Sequence, residues 1–420
     1  MGAMNDHVVS DHVVSDHVVS DHVTNDYVRD GGPPHSAQRL RELFAHVGAR
    51  VQTRPLQDFA QLWRGADTFC EVWPASVEEV RAIVRLARLH DIPLRTRGQG
   101  HALNGSSLPS EHELVIQTGR LCTVRFGREG TVTAGAGVVM WALRDLLAPY
   151  GYTLPVVNDG YAGPSLGGYV AAGGFGPGSA VYGGFWENVA ELEVVDGHGA
   201  LQRVTRDDPL FPWFFGAMGQ IGIVVGVTLD IVPARDAGPV SYPRGAVAAW
   251  TPTLADEARR RADPPANERG RRLYWFTLFV PEGRLDEARR RIAHLEARHA
   301  GTFEYRERYL YSIPFRRVVA PLVYPHAEPC VALGAWGFHQ DATLGGIANL
   351  RAFERDFMEL TLRHGYRRYI QSELPCGPDG YARYFGPDLY ARLRAVKGTQ
   401  DPAALFNRGW VFPAPRLLAG

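Results

Sequence analysis

Lysine is nearly absent. Of the 45 basic residues in this chain of 420, one alone, Lys397, is a lysine, and arginine carries the rest of the positive charge. Schiff-base and pyridoxal chemistry needs a lysine placed in a pocket, so the composition argues against that class. Cysteine is scarce too. Cys70, Cys122, Cys330 and Cys376 stand far apart, without the paired spacing of a zinc or thiol-exchange site, and read as isolated thiols of a reducing compartment. No run of 18 apolar residues occurs, and the N-terminus lacks the basic-then-apolar pattern of a secretory signal. The chain therefore reads as soluble and cytoplasmic, with no membrane partner. Net charge is missing as well: 45 acidic residues balance the 45 basic ones, so nothing favours nucleic acid.

What is present is a globular balance of 45% apolar and 21% charged residues, over a length that suits two domains or one with a large insertion. Residues 1–36 are set apart by a tandem Asp-His-Val-Val-Ser repeat beginning at Asp6, Asp11 and Asp16. A period of five matches neither a helix face nor a strand face, so this segment reads as a disordered tail. Its histidines (His7, His12, His17, His22) invite a metal reading, but no metal is assigned.

The globular part opens with a capping-box pattern, Ser76 to Glu79, ahead of a helix whose apolar face is Val77, Val80, Ile83, Val84 and Ala87. A strand ending at Leu94 should follow, and then a loop holding Gly98, Gly100, Gly105, Ser106 and Ser107. Bare backbone N–H groups in such a loop suit a pyrophosphate, although a tight turn reads equally well. The spacing is not the Rossmann fingerprint, and no P-loop lysine follows. Strands are expected near 114–118, 131–135 and 188–195, and a helix over 138–150. A half-buried strand is expected where Ile221, Ile223, Val225, Val227, Leu229 and Ile231 alternate. Residues 158–178 hold too many glycines for a regular element, but such backbone passes readily beside a flat or charged ligand.

Beyond a boundary at 233–239 the character changes to amphipathic helices and aromatic strands. Residues 273–280 read as a buried strand, and 331–339 as one placed to line a pocket with Trp336, Phe338 or His339.

Arg97-Gly-Gln-Gly-His-Ala-Leu-Asn-Gly105 resembles the diphosphate-cradling loop of FAD-linked oxidoreductases of the vanillyl-alcohol-oxidase type. It is most similar to the form in cytokinin dehydrogenases and berberine-bridge-type oxidases. The glycine pattern from Gly167 to Gly176, the Gly-Ala-Met-Gly-Gln-Ile-Gly-Ile-Val run from Gly216, and the closing Tyr-Phe-Gly, Val-Lys and Asp-Pro-x-x-x-Phe pattern resemble further segments of that family. The resemblance implies an α+β fold in which a two-part FAD-binding domain, 37–235 and 376–420, carries an inserted substrate-cap domain, 236–375, made of a sheet covered by helices. It implies FAD attached covalently through His101, with Gly163 at the place where berberine-bridge enzymes carry a second, cysteinyl bond.

The contacts it implies come from four segments. The first supplies Arg97, Gly98, Gln99, Gly100, His101, Asn104, Gly105 and Ser106. The second supplies Gly163, Pro164, Ser165, Gly167, Gly168, Gly173 and Gly174, the third Gly219, Gly222, Ile223 and Val224, and the last Asn407. For the proton acceptor it suggests Asp159, which reads equally well as an Asx-turn cap; Tyr381, Glu373 and His339 are further candidates, with Tyr384 beside them.

The implied reaction is hydride transfer to the flavin from a small amine, alcohol, sugar or biosynthetic intermediate, with molecular oxygen or another acceptor closing the cycle. Two other readings stand beside it: a flavin-fold enzyme of secondary metabolism catalysing a non-redox cyclisation, and a binding protein that has lost the flavin.

Overall fold

The computed structural model describes residues 23–24, 36–110, 112–158, 163–234, 244, 247–248, 272–314, 317–325, 328–340, 344–370 and 377–413. The repeat tail apart from 23–24 and 36, Asp159, Glu373, Cys376 and most of the boundary at 233–239 lie outside the described residues.

Helix α1 (Ala37–Leu43) leads into a small sheet of β1 (Arg50–Gln52), β2 (Phe69–Val72), β3 (Leu94–Arg97) and β4 (Leu114–Gln117), in the order β1-β2-β4-β3. The last three strands run parallel. Helix α2 (Val77–Leu89) joins β2 to β3 as the pattern predicts. The Ser76 hydroxyl accepts from Glu79 N at 3.2 Å, and Val80, Ile83, Val84 and Ala87 are buried. Strand β3 runs to Arg97, three residues past the expected end. Arg95 continues the strand because its fully buried guanidinium is held bidentately by Glu113, at 2.7 and 3.1 Å. That partner lies 18 residues away, outside any local pattern.

The second sheet contains β5 (Val124–Phe126), β6 (Thr131–Gly135), β7 (Val189–Val195), β8 (Leu201–Thr205), β9 (Ile223–Asp230) and β10 (Val247–Ala248). It is antiparallel throughout, in the order β8-β7-β9-β6-β5-β10. Strand β9 is not half-buried as its alternation suggests. Ile223 and Val225 join the core of the first sheet, whereas Val224, Val227 and Leu229 join that of the second.

Helix α3 (Met140–Leu147) follows β6, and the glycine-rich segment contains a helix after all, α4 (Leu166–Ala172). Ser165 caps it and Gly173 ends it in a left-handed conformation. The glycine inside α4 serves contact: a Cβ on Gly167 would lie 2.9 Å from Ala136 Cβ, so the helix packs directly on the exit of β6. This approach outweighs the roughly 1 kcal/mol that glycine costs in a helix.

The third sheet is built from β11 (Leu273–Pro281), β12 (Phe303–Ile313), β13 (Cys330–His339) and β14 (Arg367–Arg368), ordered β12-β13-β11-β14. Helices α5 (Leu285–Arg298) and α6 (Leu344–His364) cover one face. Their Ile292, Leu295, Phe353 and Phe357 share a core with Tyr274, Phe276 and Phe303 of the sheet.

Helices α7 (Gly377–Phe385) and α8 (Pro387–Gln400) then return the chain to the first sheet. There Leu94 N donates to Leu405 O at 2.8 Å and Asn407 N to Leu94 O at 2.9 Å. No helix among the described residues is long and apolar enough to cross a membrane.

Candidate functional site

Four segments distant in sequence line one cleft of about 930 Å³, its open mouth included. Gly98, Gln99, Gly100, His101 and Ser106 come from the loop after β3; Pro164, Ser165, Gly167 and Gly168 from the start of α4; Gly219, Gly222 and Val224 from the entry to β9; and Asn407 from the chain's return. No charged side chain among the described residues lines it. No hydrogen bond among the described residues uses the backbone N–H of Gly98, Gln99 or Gly100, which leaves three adjacent donors for an anionic ligand.

The loop is braced from behind. Arg97 is not in the lining: its guanidinium donates to Ser107 Oγ at 3.0 Å and to Gln57 O at 3.2 Å, underneath Gly100. A Cβ on Gly100, whose φ is +71°, would lie 2.1 Å from Arg97 Nη2. Arg95 donates to Ser106 O at 3.1 Å. Asn104 is also a brace, because its Oδ1 accepts from Ser106 N at 3.0 Å and its Nδ2 donates to Ile370 O, beside the third sheet, at 2.8 Å.

His101 projects from this loop onto Phe59, with ring centroids 4.0 Å apart and planes 22° from parallel. Phe59 is held by its N–H to Ala102 O, and the turn that carries it is closed by Asp58 Oδ1, which accepts from Leu62 N and Trp63 N. Burial lowers the His101 pKa to about 4, so the imidazole is neutral at physiological pH and keeps a nucleophilic lone pair.

Asn407 is placed by a buried hub. The ammonium of Lys397 donates to Gln220 O (2.7 Å), Asp401 Oδ2 (2.7 Å) and Phe406 O (2.9 Å). Asp401 in turn accepts from Leu405 N at 2.9 Å and Phe406 N at 2.8 Å. The chain's lone lysine thus joins the entry to β9 to the chain's return. Asn407 Nδ2 donates to Met218 O at 2.5 Å, while its buried Oδ1 has no partner among the described residues, an acceptor suited to a ligand N–H.

A second cavity, about 620 Å³ with its mouth, adjoins the first, and His101 and Pro164 line both. Its walls are Phe59, Leu103, Asn158, Tyr169, Phe175, Trp275, Tyr309, Tyr311 and Tyr369. The sequence reading assigned this wall to Trp336, Phe338 or His339 on β13, and the structure corrects it. Opposite Tyr309 and Tyr311 of β12, β13 presents Gly334 and Ala332, while Trp336 lies further along the strand, opposite Trp275 and Glu307, and does not line the cavity. A bulge between Tyr305 and Glu307 re-aims β12, so that Phe303 and Tyr305 face the helices but Tyr309 and Tyr311 face the cavity. His339 lies on the helix side against Phe303 and Tyr274, at ring distances of 5.2 and 5.8 Å. Trp336 donates to Glu307 at 3.1 Å.

The remaining expected contacts are sorted by the same geometry. Gly105 lies under Trp63, Gly174 against the Tyr169 ring, and Gly173 at the end of α4, so none of the three lines the cleft; nor do Gly163 and Ile223, both buried. Tyr381 is buried against Phe385, and the Tyr384 hydroxyl accepts from Arg368 N at 2.6 Å, so neither reaches a cavity. Asp159 and Glu373 lie outside the described residues, although Asn158, next to Asp159, lines the aromatic cavity. No group of His, Cys, Asp and Glu among the described residues is placed to hold a metal ion. The sequence reading missed Phe59, Phe175, Trp275, Tyr309, Tyr311 and Tyr369. The signal was an alternating aromatic pattern in β12, legible only once its bulge is known.

Residues 70–205 match the family described as FAD binding domain. An oxidoreductase from ORF5 of the fasciation locus of Rhodococcoides fascians is 32% identical over 170 residues, 39% of this chain and 38% of that protein. The D-lactate dehydrogenase of Archaeoglobus fulgidus is 28% identical over 189 residues, 43% and 42% of the two chains. Cytokinin dehydrogenase 6 of Oryza sativa subsp. japonica is 29% identical over 215 residues, 46% and 40%. The match thus spans about two fifths of each of these relatives. The family match over 70–205 includes the loop of His101 and the start of α4, two of the segments that form the uncharged, amide-bearing cleft. On these grounds residues 70–205 match an FAD binding domain, and about two fifths of the chain is similar to an oxidoreductase, a D-lactate dehydrogenase and a cytokinin dehydrogenase.

Proposed function

We propose that this protein is an FAD-dependent oxidase or dehydrogenase that takes a hydride from a small organic molecule held in the aromatic cavity. The observation that carries the reading is the shared wall: a glycine-lined cleft and an aromatic cavity meet at His101 and Pro164. Bound FAD would supply the hydride acceptor.

The chain's own residues supply position and electrostatics. The free amides of Gly98, Gln99 and Gly100 would hold the diphosphate, with the half-buried Arg97 charge behind them. The Asn407 carbonyl would receive an N–H of the ring. His101 would anchor the cofactor covalently, and its neutrality supports this because only an unprotonated imidazole nitrogen can form the bond. The aromatic walls exclude water from the reacting carbon. Asp159, next to Asn158, is the proposed proton acceptor, and molecular oxygen or a second acceptor would close the cycle. In this reading residues 236–375 form the substrate cap, and residues 37–235 with 376–420 form the cofactor domain.

The deciding experiment is the visible spectrum of purified protein before and after acid precipitation. Yellow colour that stays with the pellet, and passes to the supernatant in His101→Ala, is the expected result. Colour in the wild-type supernatant would remove the covalent bond but keep the cofactor, and protein still colourless after incubation with FAD would sink the reading. Anaerobic bleaching by substrate separates redox turnover from a flavin fold used for cyclisation.

A further inference from the structure

We infer that the substrate is a flat, unsaturated molecule that is uncharged where it enters the cavity, and not a small hydroxy acid or a polyol. The inference rests on the proposed reading of the site and narrows it to a chemical class. The cavity walls come from two separate units: Phe175 and Tyr169 from the cofactor side, Trp275, Tyr309 and Tyr311 from the third sheet, and Tyr369 from the segment after β14. Phase-like oil is not what these walls form, since the rings meet at defined angles. Phe175 meets Tyr369 edge-on at 5.1 Å and Tyr311 at 6.2 Å, and Tyr309 and Tyr311 stack 5.4 Å apart at 27°. Such walls reward a ligand with a flat face.

No charged side chain among the described residues lines the cavity. Three described arginines of the two units are committed elsewhere: Arg97 to Ser107 and Gln57, Arg368 to Glu354 at 2.6 Å, and Arg367 to Tyr384 O at 2.7 Å. A carboxylate brought here would lose its water without gaining a cation.

Two of the wall's hydroxyls are spent as well. The Tyr309 hydroxyl is shared with Thr277 Oγ1 (2.5 Å), with Phe276 O (3.3 Å) and with the Trp275 indole N–H, and the Tyr169 hydroxyl donates to Phe175 O at 2.5 Å. A polyol would leave several hydroxyls unpaired. The arrangement depends on Gly334, because a Cβ there would lie 2.2 Å from the Tyr309 ring, so the glycine lets Tyr309 lie across β13.

The test uses three probes on the flavin-loaded enzyme: cinnamyl alcohol, its carboxylate counterpart cinnamate, and D-lactate. Calorimetry reads binding, and the flavin absorption band reads proximity to the ring. Cinnamyl alcohol should bind and perturb the band, with cinnamate and D-lactate each weaker by about tenfold or more. Trp275→Leu should weaken cinnamyl alcohol by about tenfold with the resting flavin spectrum unchanged. Should that variant fail to fold, the half-buried Tyr311→Leu takes its place with the same expectation. Failure of cinnamyl alcohol to bind, or binding of cinnamate or D-lactate as tight as the alcohol, overturns the inference. Because calorimetry does not require flavin, these outcomes are separate from failure of the cofactor reading, which appears first as a colourless protein.

Discussion

At the scale of single residues, the cofactor loop is governed by backbone conformation and by what lies directly beneath it. Gly100 combines a left-handed φ with the Arg97 guanidinium under its Cα. Gly130 has a similar φ, +77°, but open space where a Cβ would go. Gly130→Ala should therefore cost about 1 kcal/mol, the left-handed penalty alone. Gly100→Ala should cost about 2–3 kcal/mol and displace the Arg97 brace. Urea melts of the two variants check the difference, and flavin retained per mole of protein should fall for Gly100→Ala only. Equal losses in both would show that Arg97 yields freely. This loop was legible in the sequence because a ligand-bearing backbone demands glycine locally. The role of Arg97 was not, since a brace and a ligand contact carry the same side chain.

At the scale of elements, two connections hold the site together. The Lys397–Asp401 hub closes α8 onto the entry to β9, with every ammonium proton used. Lys397→Met removes one partner of a buried pair and leaves Asp401 uncompensated, so a loss of about 3–5 kcal/mol is expected in denaturant melts. Loss of bound flavin should precede global unfolding in the same titration, because Asn407 sits at the hub's edge. A melt like that of wild type would remove the hub from the account.

The second connection is the bulge in β12. Deleting Arg306 makes β12 regular while Tyr305 stays opposite Gly337 and Glu307 opposite Trp336, so Tyr309 and Tyr311 should keep facing the cavity. The expected outcome is cinnamyl alcohol binding and flavin both retained, read by calorimetry and absorbance, and loss of the alcohol would show that the pairing slips instead. Helix α2, with its cap and its 3.6-residue period, could be placed from the sequence to within a residue. The pocket face of the third sheet could not, because one unmarked extra residue inverts the parity of everything after it.

At the scale of the whole molecule, stability should fall on the acid side. Burial, aided by the Arg272 charge, lowers the His339 pKa to about 4, against an ordinary value of 6.5. Between those values the unfolded chain takes up a proton that the folded chain refuses. Stability is therefore full above about pH 6.5 and declines as pH falls toward 4, by up to about 3 kcal/mol from this residue. His101, lowered to about 4 by burial, acts in the same direction. His339→Phe should shrink the difference between urea midpoints at pH 7.5 and pH 4.5, and an unchanged difference would show that His339 is protonated in the folded state. Asn104 binds Ile370 O across to the third-sheet unit, as Leu273 N binds Ala60 O at 3.1 Å, so the units should unfold together.

The sequence by itself determined the cofactor side of this protein. Glycines that free backbone amides, a histidine among them, and a capped helix leading into a strand are demands made within a few residues, and local patterns record such demands. Only the tertiary structure decided the aromatic cavity. Which face of β12 meets the cavity, which strand offers glycine and alanine to make room, and which arginines are already paired depend on neighbours 10 to more than 100 residues away. No local period carries that information, because packing selects it after the elements have formed.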